Sequence, residues 1–268
     1  MSPGRGARGG MARVDDNPFG IPGFTSSTYG DSFADVYDDW YADLGDGDFV
    51  DAVVRALPPG PSAVLELGVG TGRLLARVAA ARGGAGDRLV GVDTSVPMLD
   101  RARALPLLAG AEISVHDFSV SLPDGPFDAV FCGYNTLFNL PDTDATARAF
   151  VLASSVMRRG ARLLIDAFVP ARDAEAERVS VRSMTADSVV LSVSRHDAQG
   201  QRMTGHFVEM THGQPLVLRP WSVRYLTPGQ MDSCAAGAGL RLESRHADGS
   251  GTPHTDASAR HVSVYVRD

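Results

Sequence analysis

The chain has 268 residues, of which 44% are hydrophobic and 21% charged, as in an ordinary globular protein of one large or two small domains. A net charge of −7 disfavours nucleic acid as the main partner, and no run of about 18 apolar residues predicts a membrane span. Every basic residue is arginine, and two cysteines give no metal-binding pattern, so we expect no metal site. An N-terminus without the apolar core of a secretory signal predicts a cytoplasmic protein.

Two segments precede the first expected strand. Residues 1–18 are rich in glycine, arginine and proline, which predicts a disordered tail. Residues 19–60 predict a helical cap in two pieces, with a break at residues 45–47. The aromatic residues of this cap form either a lid over a ligand or a helix face that only packs on the core. Candidates for the lid are Tyr29, Tyr37 and Tyr41.

The stretch from Val64 to Leu75 reads V-L-E-L-G-V-G-T-G-R-L-L and predicts a buried strand, a glycine turn and a helix. Glycine allows a tight turn and a close approach of a ligand to the backbone. The spacing G-x-G-x-G differs from the G-x-G-x-x-G of dinucleotide-binding proteins, because Arg73 stands where their third glycine would fall. The candidate ligand-binding residues here are Glu66, Gly68, Gly70 and Gly72.

A second buried strand at residues 89–92 and a third short strand at residues 113–116 lead into acidic residues. A carboxylate at the end of the first can accept both ribose hydroxyls of an adenosyl cofactor, which makes Asp93 a candidate ligand. The residues of interest after the two strands are Asp93, Thr94, Met98, Asp117 and Phe118.

A fourth strand is expected at residues 128–134 and a fifth at residues 163–165. Between them we expect a helix from residue 142 to residue 157, which residues 158–160 close. Ligands lie outside the carboxyl ends of the strands in open parallel sheets, so the residues that follow are site candidates by position. They are Tyr134, Asn135, Asn139 and Asp166.

The last third of the chain predicts β structure of another kind. Residues 171–227 contain alternating, turn-separated segments, which predict an antiparallel meander inserted after the fifth strand. Residues 228–268 predict a helix and the last two strands of the main sheet. Exposed edges of the meander could pair two chains in a homodimer. Its arginines either bind a pyrophosphate or form a solvated face: Arg182, Arg195, Arg219 and Arg224.

The glycine turn resembles motif I of the class I S-adenosylmethionine (SAM) methyltransferases, whose pattern is apolar-apolar-D/E-apolar-G-x-G-x-G. The run V-D-x-S-x-x-M-L at residues 92–99 resembles their motif II region. The resemblance covers about residues 30–268. It implies an α/β fold with a Rossmann-like seven-stranded sheet, helices on both faces, an N-terminal helical cap and an antiparallel insertion after strand five. The SAM-binding core would be residues 61–170.

The same resemblance implies roles for single residues. The glycine turn would cradle SAM or its product, S-adenosylhomocysteine (SAH), and Asp93 would hold the ribose. Asp117 would accept a hydrogen bond from the adenine amino group, and Met98 and Phe118 would pack on the adenine ring. Tyr37, with the aspartate after it, matches a tyrosine–aspartate pair in the segment that covers the SAM site.

Two groups within the family look most similar: the aminosugar N,N-dimethyltransferases of antibiotic pathways and the peptide N-methyltransferases of linaridin pathways. Asn139 departs from the aminosugar enzymes, which carry a histidine there, and an amide cannot act as a general base. Asp166 matches an acid at the end of strand five in those enzymes and is the better acid–base candidate. Tyr134 would border the acceptor with Asn139.

We therefore expect a SAM-dependent methyltransferase that methylates a small molecule of antibiotic-type metabolism at an amine nitrogen. An amine can lose its proton to water before it attacks, whereas a hydroxyl needs stronger help. The alternatives are O-methylation of a sugar or another natural-product hydroxyl, and a non-catalytic SAM-binding protein. The glycine spacing and the absence of lysine disfavour a nucleotide-dependent oxidoreductase.

Overall fold

The computed structural model describes residues 17–171 and 175–268. Most of the predicted disordered tail, and the stretch where the insertion is expected to begin, therefore lie outside the described residues. The division of the chain at residues 18, 60, 170 and 227 stays a prediction.

The described chain forms two separate β-sheets. Its strands are β1 (Ala63–Leu67), β2 (Arg88–Asp93), β3 (Glu112–Val115), β4 (Phe127–Cys132), β5 (Met157–Phe168), β6 (Glu177–Met184), β7 (Ser188–Asp197), β8 (Arg202–Thr211), β9 (Val217–Arg224), β10 (Leu240–His246) and β11 (Arg260–Arg267). Seven of them form the main sheet in the order β10-β11-β5-β4-β1-β2-β3, in which β11 is antiparallel to both neighbours. The other four form an antiparallel sheet, β6-β7-β8-β9. The predicted seven-stranded sheet with an antiparallel insertion after β5 is confirmed.

The helices are α1 (Thr28–Phe33), α2 (Tyr37–Trp40), α3 (Gly47–Ala56), α4 (Arg73–Arg82), α5 (Val96–Ala104), α6 (Thr143–Val156) and α7 (Pro228–Gly237). Local sequence sets several of their starts. The Ser95 side chain accepts a hydrogen bond from the backbone at the start of α5, and Thr227 does the same for α7 within a capping box. Within the described ranges, the structure has no helix with the length and apolar character needed to span a bilayer.

The main sheet is buried on both faces, as the short apolar run of β1 predicts. All five residues of β1 are buried. Successive side chains of a strand point to opposite faces, and accordingly Val64 joins one apolar cluster while Leu65 and Leu67 join another. This rigid sheet fixes the positions of the loops at its carboxyl edge.

Two local predictions were wrong. The cap has three helices, not two pieces, because the chain turns between α1 and α2. Residues 158–160 were expected to close the helix α6, but they lie within β5, which begins at Met157 directly after that helix. Gly160 has a φ of 76°, and the register of β5 against β4 shifts in this region. Arg158 and Arg159 therefore lie at the irregular start of a strand and not at a helix terminus.

Candidate active site

Two adjoining clefts open beside the carboxyl ends of the parallel strands. The first, here called the glycine-loop cleft, has a volume of about 680 Å³. The second, here called the aromatic cleft, has a volume of about 1040 Å³ and lies between the cap, the loop after β4 and the four-stranded sheet. Residues shared by both clefts make them continuous with each other: Tyr29, Tyr37, Thr136 and Asn139.

The glycine turn after β1 forms one wall of the glycine-loop cleft. Gly68 and Gly70 have φ angles of 70° and 53°, which side chains rarely adopt. A Cβ atom on Gly68 would also overlap the Cγ2 atom of Thr136. The Gly68 N–H donates to Val92 O at 2.8 Å, and the Gly70 N–H donates to Asp93 Oδ2 at 3.0 Å. The turn is therefore held against the end of β2.

Asp93 is fixed from two sides. Besides the bond from the glycine turn, its Oδ1 atom accepts from the Ser95 N–H at 2.9 Å. Burial raises the pKa of Asp93, and these backbone donors oppose the rise because they favour the charged carboxylate. The Ser95 hydroxyl in turn donates to Asp31 Oδ1 at 2.7 Å, which attaches the cap to the start of α5.

The cap covers the glycine-loop cleft through polar contacts with the loops below it. The Thr94 hydroxyl donates to Ser26 O at 2.9 Å, and the Thr71 hydroxyl donates to Asp38 Oδ1 at 2.6 Å. The aspartate of the predicted tyrosine–aspartate pair thus ties the cap to the glycine turn, while Tyr37 beside it lines both clefts.

Most of the predicted cofactor-binding residues line the glycine-loop cleft: Tyr37, Gly68, Gly70, Asp93, Thr94, Met98, Asp117 and Phe118. Glu66 and Gly72 do not. Gly72 lies at the start of α4, where an added Cβ would come within 2.7 Å of Leu108 Cδ1. Glu66 is buried, which raises its pKa, and its Oε2 atom has no hydrogen-bond partner among the described residues.

The predicted acceptor-side residues are placed unequally. Tyr134 lines the aromatic cleft, and Asn139 lines both clefts. Asp166 lines neither: it is buried, and its two oxygens accept from Arg260 Nε at 2.6 Å and Nη2 at 3.1 Å. A carboxylate held in this way by a guanidinium is not placed to take a proton from an acceptor. The geometry therefore gives Asp166 a structural place and argues against its predicted acid–base role.

Three tyrosines around the clefts, Tyr29, Tyr37 and Tyr134, are neutral at pH 7. Burial raises the pKa of Tyr29 well above its ordinary value and that of Tyr37 to about 12. Burial also raises the pKa of Tyr134, although the nearby Arg73 opposes that change. These phenols can donate or accept hydrogen bonds but do not act as bases at neutral pH.

The sequence analysis missed the part of the aromatic cleft that the insertion supplies. These residues lie on β8 and β9: Met203, Phe207, Trp221 and Val223. The available signal was the alternation of the two strands, which places every second residue on one face. That pattern identifies a shared face but not what the face is packed against. Thr136 and Gly30 were also missed as lining residues of the glycine-loop cleft.

Comparison with known proteins agrees with this geometry. A family model described as a methyltransferase domain matches residues 64–160. The CcbJ methyltransferase from Streptomyces caelestis is 32% identical, with a TM-score of 0.81 over 91% of this chain and 100% of that one. No match was found among the curated proteins.

More distant solved structures share the fold. The sugar N-methyltransferase KedS8 from a Streptoalloteichus species is 23% identical, with a TM-score of 0.66 over 92% of this chain and 98% of that one. An amino pentose methyltransferase from Micromonospora echinaspora, solved with SAM bound, is 21% identical, with a TM-score of 0.67 over 87% of this chain and 97% of that one. Together with the match to the Streptomyces caelestis protein, the sheet and the glycine turn place this chain in the class I SAM-dependent methyltransferases.

Proposed function

We propose that the protein transfers a methyl group from SAM to an amine nitrogen of a small-molecule acceptor. The observation that carries the choice of nitrogen is the chemistry of the aromatic cleft. Among the described residues, its lining contains no carboxylate, imidazole or thiol. Three of its tyrosines, Tyr29, Tyr37 and Tyr134, hold their protons at neutral pH, since burial raises their pKa values.

The residues of the glycine-loop cleft fit the cofactor. Asp93 would accept the ribose hydroxyls, and Asp117 would accept from the adenine amino group, with Met98 and Phe118 on the ring faces. A side chain at position 68 would overlap Thr136, so the position requires glycine. The bare backbone of Gly68 lets the cofactor approach closely.

SAM supplies a methyl group on a sulfonium with a good leaving group, so transfer depends mainly on alignment and exclusion of water. The protein would provide both where the two clefts meet. Four residues line both clefts there: Tyr29 and Tyr37 from the cap, and Thr136 and Asn139 from the loop after β4. An acceptor in the aromatic cleft would present its nitrogen at this junction. The proton of the amine would pass to water before binding, so no side chain need remove it.

The solved relatives support a role in antibiotic-type metabolism. A sugar N-methyltransferase, an enzyme of calicheamicin biosynthesis and a glycopeptide N-methyltransferase share the fold. Each of these descriptions belongs to that protein, and the 32% identical Streptomyces caelestis protein is described only as a methyltransferase. We propose only that this protein also acts in antibiotic-type metabolism. We do not assign the acceptor of any of these relatives to it.

The test is the position of methylation on an acceptor that offers both atoms. The protein is incubated with SAM and a set of amino alcohols, trans-4-aminocyclohexanol among them, and the products are analysed by mass spectrometry and NMR. We expect N-methyl products, with a rate that rises with pH as the amine loses its proton. O-methyl products alone would favour the hydroxyl alternative. Failure of SAH to bind the folded protein in calorimetric titration would contradict methyl transfer altogether.

A further inference from the structure

The structure bears on a question that follows from the proposed function: whether the acceptor is attached to a nucleoside diphosphate. A pyrophosphate group carries negative charge, and proteins that bind one use arginine, lysine or helix N-termini. The chain has no lysine. The candidates for binding a pyrophosphate are four arginines of the insertion: Arg182, Arg195, Arg219 and Arg224.

Arg219 is committed to the cap. It is buried, and it donates to both oxygens of Asp35, at 2.6 and 2.9 Å, and to Glu209 Oε2 at 3.0 Å. It also donates to the carbonyl oxygen of Ser32. Two carboxylates and a carbonyl use its donors, so the guanidinium has no capacity left for a phosphate group.

Two more of these arginines are turned away from the aromatic cleft. Arg195 is exposed and pairs with Glu177 across the neighbouring strand at 3.0 Å. Arg224 donates to two backbone oxygens, Gln201 O at 3.4 Å and Tyr225 O at 2.9 Å. Neither residue lines the aromatic cleft.

Arg182 is exposed and contacts the rings of the cleft wall, but it does not line the aromatic cleft. Its guanidinium stacks on the rings of Trp40, Tyr41 and Phe207, at 4.6, 5.1 and 5.1 Å from the centroids, and donates to Trp40 O at 2.9 Å. This arrangement supports the aromatic rings from the side. Of the four arginines it is the one that remains exposed beside the cleft, which makes it the residue to test.

Among the residues that the structure describes, the wall itself is uncharged and mostly apolar. The part of the wall that β5, β8 and β9 supply consists of Phe168, Met203, Phe207, Trp221 and Val223. Moving a charged phosphate into such surroundings without a cation costs several kcal/mol. An alicyclic or aromatic body would instead gain from burial against the same surface.

We infer that the acceptor is an unphosphorylated amine with an apolar body, and not a nucleoside-diphosphate-linked sugar. The inference rests on the proposed function, because it describes the occupant of the same acceptor site. The amine would lie at the junction with the glycine-loop cleft, and the apolar body would lie against Phe207 and Trp221.

The experiment measures binding of two probes to SAH-loaded protein by calorimetric titration: phenethylamine, an amine with an apolar body, and thymidine diphosphate. The variants are Phe207→Ala on the cleft wall and Arg182→Gln beside it. Val208→Ala is the matched control, because it lies on the same strand but on the opposite face. SAH binding by each variant is recorded first, so that loss of the cofactor site is recognised separately.

We expect phenethylamine to bind wild type and to lose about fivefold or more in affinity in Phe207→Ala, with no change in Val208→Ala or Arg182→Gln. Thymidine diphosphate should give no saturable binding at millimolar concentration. Saturable thymidine diphosphate binding that Arg182→Gln weakens would overturn the inference. So would an absence of phenethylamine binding to protein that binds SAH, or binding that Phe207→Ala leaves intact. A protein that fails to bind SAH contradicts the proposed function instead.

Discussion

The two clefts share four residues but are built from opposite kinds of chemistry. The glycine-loop cleft presents the glycine backbone and two carboxylates, Asp93 and Asp117, at strand ends of the main sheet. The aromatic cleft presents rings and uncharged polar groups from the cap, the loop after β4 and the separate sheet. The first suits one fixed ligand with many polar groups. The second suits a ligand recognised by shape and apolar contact, and such a surface can change without disturbing the first.

The largest expected effect is that of Gly68→Ala. The backbone there has a φ of 70°, and the added methyl would overlap Thr136 Cγ2. We expect SAH affinity to fall about a hundredfold, about 2.7 kcal/mol, in calorimetric titration, while the fold is retained by circular dichroism.

Gly70→Ala is the control for backbone strain alone. Its φ is 53°, but a Cβ there would meet no atom of the described residues within 4 Å. Strain of about 1–2 kcal/mol should then give a smaller loss. Adding Thr136→Ser, which removes the overlapping methyl, should restore part of the binding lost in Gly68→Ala. Equal losses in the two glycine variants would show that the contact with Thr136 does not shape the cleft.

The second prediction concerns Asp93→Asn, which should weaken SAH binding about tenfold, about 1.4 kcal/mol. The wild-type affinity should also fall with decreasing pH, because a protonated carboxyl accepts the ribose hydroxyls less well. Burial raises the pKa of Asp93, so this loss begins at a higher pH than for an ordinary aspartate. The asparagine variant should lack that pH dependence. Asp100→Asn, an exposed carboxylate on α5, is the matched control and should change nothing.

A smaller effect is expected where the cap is attached to the separate sheet. Asp35→Asn weakens the ion pair between Asp35 and Arg219. The Asp35 carboxylate is largely exposed, so the pair contributes little to stability. We expect a loss of about 0.5–1 kcal/mol in the free energy of unfolding and a rise in acceptor KM, with little change in SAH affinity. Asp39→Asn changes an exposed carboxylate of the same cap, for which the described chain offers no ion pair, and should match wild type. An SAH affinity that falls as much as the acceptor affinity would show that the cap does not separate the two clefts.

The smallest effect is expected for Asn139→Ala, at the junction of the clefts. If an amine arrives without its proton, this amide contributes only orientation, and kcat/KM should fall about two- to threefold. A general base typically contributes a factor of about a hundred or more. A loss of that size in Asn139→Ala would indicate an acceptor that needs help to lose its proton, as a hydroxyl does.

The sequence predicted the glycine-loop cleft better than the aromatic one for a physical reason. Gly68, Gly70 and Asp93 belong to local strand–turn–helix units, in which a few neighbouring residues determine both the backbone shape and the exposed group. Phe207 and Trp221 lie more than 60 residues after the loop that follows β4, and they gain their role only because their sheet folds against the cap. Alternation shows that such residues share a face but not which element they meet.

Asp166 shows a second limit of prediction by position. Its place at the end of β5 made it a candidate by position, and nothing local to it indicates that Arg260 occupies both carboxylate oxygens. That partner lies in the antiparallel strand next to it, where His261 pairs with Ala167. Position within an open sheet locates a site, but the availability of a group depends on pairings from remote parts of the chain.

The four residues common to both clefts have a consequence for altering the enzyme. Replacing Tyr29 or Tyr37 to admit a new acceptor would disturb the cofactor at the same time. Replacing a residue that lines only the aromatic cleft would not affect the cofactor directly. On the separate sheet these residues are Met203, Phe207, Trp221 and Val223. On the proposed assignment of the two clefts, the separate sheet is thus the part of the molecule where natural variation or directed evolution can broaden acceptor scope while leaving the methyl donor undisturbed.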